Sequence, residues 1–87
     1  MKIVDGFILK SIADTNIVVP VGSNSVTFNA IISLNDSGAF LWKQLENEQS
    51  EESLLAAMLA EYDVDEVTAK KDIDEFLKSM RQANLLK

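Results

Sequence analysis

The sequence predicts an α+β fold: a three-stranded antiparallel sheet followed by three α-helices. Three observations predict it. β-Branched and aromatic runs crowd the first third of the chain. After Asn35, apolar residues recur at helical spacing. Between these regions, residues 30–45 begin as a strand, turn through Asn35-Asp36-Ser37-Gly38 and continue as a helix.

The chain of 87 residues is expected to form one domain, residues 1–87. Residues 7–13 are rich in strand formers and end at Asp14-Thr15-Asn16, which reads as a turn. Ile17-Val18-Val19 makes the second strand of the resulting hairpin. Pro20 lacks an N–H, which suits a strand end or a sheet edge. Gly22-Ser23-Asn24-Ser25 reads as a second turn, Val26-Thr27-Phe28 as a short extended piece, and residues 31–34 as the third strand.

Asn35 is an N-cap for the first helix, with Leu34 and Ala39 placed as a hydrophobic staple. The helix is expected to run to about Glu46, with Phe40, Leu41 and Leu45 on one apolar side and Trp42 flanking it. Ser50 caps the second helix, with Glu51 and Glu52 in the turn where the helix dipole favours negative charge. Leu54, Leu55, Met58, Leu59 and Tyr62 form its stripe. Asp65 caps the third helix, along which Ile73, Phe76, Leu77 and Met80 fall at i, i+3, i+4 and i+7. Lys78 and Arg81 lie in its last turns, and Leu85-Leu86 can fold back onto the core.

Composition narrows the chemistry. There is no cysteine and no histidine, which removes thiolate nucleophiles, disulfides and the commonest general base and metal ligand. Catalysis would rest on carboxylates that caps and solvated helix faces already explain, so no enzyme is expected. The three glycines are scattered and make no phosphate loop. No metal site or cofactor is expected: Asp63/Asp65 belong to a cap, and Asp72/Asp74 to a solvated helix. The N-terminus does not read as a signal peptide, and no apolar run is long enough to span a bilayer. A soluble cytoplasmic protein without membrane association is expected.

The net charge is −6, and no basic residue occurs between Lys43 and Lys70, an interval holding eight acids. This is a solvated surface that would also repel phosphates and could steer a basic partner. Three helices after a small sheet resemble a winged helix-turn-helix. The helix that would enter a DNA groove begins with Asp65-Glu66, however, so nucleic acid is not an expected partner. A winged-helix protein-interaction or regulatory module remains the alternative. Asp36-Ser37 at a helix start is similar to the carrier serine of acyl carrier proteins, but Gly38 stands where that pattern has leucine, and the β-rich first third has no counterpart there.

A small sheet leaves edges, and an edge strand exposes unpaired N–H and C=O groups. An extended peptide could add beside residues 31–34, with the third helix as the opposite wall of a groove. The expectation places Phe76 and Ile73 mainly inward, with Leu77 and Met80 on the groove side. The same edge could pair two copies into a homodimer.

The ordered set Ile31-Ser33-Leu34-Asn35-Asp36-Ser37-Gly38-Ala39-Phe40-Leu41-Trp42, then Tyr62-Asp63-Val64-Asp65, then Phe76-Leu77 and Leu85-Leu86, resembles the PqqD family, also called the RiPP recognition element. The likeness covers nearly the whole chain from Phe7. It implies a non-catalytic peptide chaperone with a winged-helix-like fold. Such a domain binds the leader segment of a ribosomally made precursor by strand addition and presents it to a modifying enzyme, often a radical SAM enzyme. Carried onto this chain, the leader would contact Ala30, Ile31, Ile32, Ser33 and Leu34 of the strand. On the helix it would contact Ile73, Asp74, Leu77, Lys78, Met80 and Arg81. Residues 23–29 look like an insert relative to the shortest members and would extend the second strand or reshape the edge.

Overall fold

The computed structural model describes residues 1–22 and 32–87, which form three strands and then three helices. The strands are β1 (Phe7–Ile12), β2 (Thr15–Pro20) and β3 (Ile32–Leu34); the helices are α1 (Asp36–Gln44), α2 (Glu51–Glu61) and α3 (Glu66–Gln82). The extended piece expected at Val26-Thr27-Phe28, the insert at 23–29, and Ala30 and Ile31 lie outside the described residues.

The sheet is antiparallel, in the order β1-β2-β3. Ile12 pairs with Thr15, so the hairpin turn holds only Ala13 and Asp14. This corrects the turn expected at Asp14-Thr15-Asn16: Thr15 and Asn16 belong to β2. The cause is backbone twist. Ala13 (φ 49°) and Asp14 (φ 65°) both occupy the left-handed region, as a two-residue turn that follows the twist of its strands requires. Alanine is a poor occupant of that region. Ala13→Gly is therefore expected to stabilise the fold by about 1 kcal/mol, raising Tm by about 4–8 °C for a domain of this size. A calorimetric scan that shows no gain would mean the turn is not strained.

The three caps foreseen from sequence form. Asn35 Oδ1 accepts the Gly38 backbone N–H at 2.8 Å and the Ser37 hydroxyl at 3.1 Å. Glycine matters at 38 because a Cβ there would lie 3.0 Å from Asn35 Oδ1 and 3.4 Å from Leu34 Cβ. Its absence lets the end of β3 and the start of α1 close up. Ser50 and Ser53 exchange reciprocal side-chain and backbone bonds at the start of α2. At the start of α3, Asp65 accepts the Thr68 N–H at 2.7 Å.

That backbone hydrogen bond, with a side-chain bond from Thr68, holds the Asp65 carboxyl below its usual range. A depressed folded-state pKa supplies stability that is present above the unfolded value and lost as pH falls through the folded one. Asp65→Asn keeps a capping oxygen without the ionisation. Its stability is expected to fall less than the wild type's on acidification, as read by urea unfolding at neutral and acid pH. Parallel losses would show that this cap does not carry the pH dependence.

The end of α3 is shaped by Asn84 (φ 60°). The Asn84 N–H donates to Arg81 O and the Leu85 N–H to Met80 O, the bond pair of a Schellman motif. This turn drives Leu85 into the core, where it is fully buried. The core joins Leu41, Trp42 and Leu45 of α1 to Leu54 and Met58 of α2, to the apolar stripe of α3, and to Val18 of β2. Trp42 sits in this core at 1% exposure, whereas Phe40 is half-buried and meets Tyr62 edge-on at 5.4 Å. The expected apolar side of α1 is thus rotated: Trp42 is central and Phe40 peripheral.

Residues 1–4 also contribute. Ile3 is buried, and its N–H donates to Leu45 O while the Val4 N–H donates to Leu85 O. The Lys87 N–H returns a bond to Lys2 O. The opening residues are therefore laced between the end of α1 and the last residues of the chain.

Candidate functional site

β3 is the last strand of the sheet. Its three residues pair with Val18, Ile17 and Asn16 of β2, and no other described strand flanks it. Ile32 and Leu34 are half-buried and pack against the core, whereas Ser33 is exposed. This alternation is the ordinary consequence of a period-two strand with one covered face. The uncovered flank opens into a groove of about 310 Å³ between β3, the start of α1 and α3.

One wall of the groove is Ile32, Ser33, Leu34 and the cap residues Asn35 and Ser37. The opposite wall is Asp72, Glu75 and Ser79 of α3. Leu41, Phe76 and Met80 line it from the core side and are 1%, 8% and 2% exposed. Residues 72, 75, 76, 79 and 80 share one helix face at i, i+3, i+4, i+7 and i+8. This face is rotated by roughly 80° from the stripe 69, 73, 76, 77 and 80 that α3 buries, at 3.6 residues per turn. Phe76 and Met80 belong to both faces, so the groove floor is an edge of the hydrophobic core. Strand and floor offer main-chain hydrogen bonds and apolar contact; the helix wall offers two carboxylates and a hydroxyl.

The structure brings together Ile32, Ser33, Leu34 and Met80 of the residues expected at a binding site. It does not bring Ile73 or Leu77 into the groove. Leu77 is 1% exposed in the core, and Ile73, at 3%, instead lines a smaller hollow of about 220 Å³ against α2, together with Asp74. Lys78 and Arg81 are exposed and off the groove. Phe76 and Ile73 are buried as expected, Phe76 also flooring the groove, whereas Leu77, expected on the groove side, is buried in the core away from it. Asn35, Ser37, Gly38, Leu41, Asp72, Glu75 and Ser79 were missed. A helical projection counted back from Met80 finds Asp72, Phe76 and Ser79, but the sequence has no marker that this face, and not its neighbour, adjoins β3.

Among the described residues there is no group of three or more His, Cys, Asp or Glu that could hold a metal ion, and no helix is long and apolar enough to cross a membrane.

The family model described as "Coenzyme PQQ synthesis protein D (PqqD)" matches residues 16–86. Two solved structures share the fold. The structure titled "TbiB1 in Complex with the TbiA(beta) Leader Peptide" is 28% identical with a TM-score of 0.76; the match covers 100% of this chain and 95% of that one. "Lasso peptide synthetase B1 complexed with the leader peptide" is 17% identical with a TM-score of 0.72, covering 97% of this chain and 93% of that one. No curated protein matches the chain.

Proposed function

This chain belongs to the PqqD family, and from that premise we propose that it is a non-catalytic chaperone for the leader segment of a ribosomally made precursor peptide. The leader adds as a strand beside β3 and is presented to a peptide-modifying enzyme, of the radical SAM class that the family resemblance implies. The observation that carries this reading is the flank of β3, free of any described strand, opening directly onto a groove floored by Leu41, Phe76 and Met80. The 28%-identical neighbour of the same fold is in complex with a leader peptide, which supports the same occupant here.

Magnitudes show why both parts are needed. A three-residue edge offers only a few outward main-chain groups, worth about 1 kcal/mol net per hydrogen bond. That is well short of the ~8 kcal/mol of a micromolar complex. Two apolar guest side chains buried on the floor would add about 1.5–3 kcal/mol each. Affinity and selectivity therefore depend on the floor, while the strand sets direction and register. No step in this role requires an activated nucleophile or a cofactor.

The test is an NMR titration of the ¹⁵N-labelled protein with the synthetic leader of the precursor encoded beside this gene. Amide shifts are expected at Ile32, Ser33 and Leu34 and along residues 72–80 of α3. Shifts confined to α2 or to β1, or no shifts at all, would overturn the reading.

A further inference from the structure

The groove that receives the guest carries charge of one sign. Asp72 and Glu75 stand on it one helical turn apart, and among the described residues no basic one lines it. Neither carboxylate forms an ion pair with a described residue. Nearby cations are used or turned elsewhere: Lys70 pairs with Glu66 at 3.4 Å, and Lys71 and Lys78 are exposed and off the groove. While the groove is open, water solvates both carboxylates.

A strand laid beside β3 removes part of that water. An acidic or neutral guest then leaves two carboxylates partly desolvated without a counter-charge, an unfavourable arrangement. A cationic guest reverses the sign of the contribution. The discrimination works as much by rejecting the wrong peptide as by holding the right one.

We propose, resting on the peptide-chaperone reading above, that the guest is an extended peptide bearing a lysine or arginine seated against Asp72 and Glu75. An apolar residue on the same side of the guest strand reaches Phe76 and Met80. Successive residues of a strand alternate between faces, so the cation and the apolar anchor stand two, or another even number of, residues apart. The net charge of −6 steers such a peptide toward the protein before contact.

The test is selection of random twelve-residue peptides, displayed on phage, against the full chain. A parallel selection uses Asp72→Lys/Glu75→Lys, with far-UV circular dichroism confirming that both proteins are folded. The wild type is expected to enrich Lys or Arg at even spacing from an apolar residue, and the double variant to enrich Asp or Glu there. For a selected peptide, changing its cation to glutamine should weaken binding to the wild type about tenfold, with little change for Asp72→Asn/Glu75→Gln. Peptides that bind at β3, by loss of binding on blocking the edge, yet show no charge preference would overturn this inference and leave the chaperone reading standing. Absence of any β3-directed peptide would overturn both. If the double-lysine variant fails to fold, the Asn/Gln variant and the glutamine peptide decide the matter alone.

Discussion

Proline at Ile32 and proline at Ser33 are expected to give opposite results. Neighbouring residues of a strand direct their N–H groups to opposite sides, so one of the two faces β2 and the other faces the open groove. Proline at the residue facing β2 removes a ladder bond and lowers stability. Proline at the residue facing the groove leaves the sheet paired but removes a donor and places its ring where the guest strand must lie. That variant should keep a Tm near the wild type's and lose at least about tenfold in leader affinity, the equivalent of ~1.4 kcal/mol. Thermal melts and fluorescence anisotropy with a labelled leader peptide separate the two effects. If both variants bind as the wild type does, the guest does not use this edge.

The largest loss of stability is expected from Trp42→Ala. Trp42 is 1% exposed, within the core to which all three helices contribute. Emptying such a site costs about 3–5 kcal/mol. A chain of this length has roughly 4–13 kcal/mol in total at typical values per residue, so the variant is expected to lose about a quarter of its stability or more. The corresponding fall in Tm is about 12–40 °C, read by far-UV circular dichroism because Trp42 is the only tryptophan. Val67→Ala, at a position 78% exposed, should change stability by less than about 0.5 kcal/mol. Similar losses for the two variants would contradict the core described here.

The caps at Asn35, Ser50 and Asp65 were readable from sequence because each bond closes within three residues. The order of strands and helices was readable for a similar reason: periodicity and turn residues act over short spans. The hairpin turn was misplaced because Asp14 marks a turn but Ala13, equally at positive φ, carries no such marker, so nothing in the residues shows that the turn begins at 13 and ends at 14. Residues 1–4 drew no structural expectation, since their partners, Leu45 and Leu85, are more than forty and eighty positions away.

The groove divides along the same line. Composition and periodicity determined that the chain has an α+β order, an edge strand in the third segment and an amphipathic last helix, and the ordered motifs placed it beside the PqqD family. Only tertiary packing decided how α3 is rotated against β3. That rotation sends Leu77 inward, where the groove side was expected, and sets Asp72, Glu75 and Ser79 along the groove. The physical reason is that an apolar stripe states which side of a helix avoids water. Which polar flank of that stripe faces a neighbouring strand depends on contacts far apart in the chain, which here join α3 to both α1 and α2.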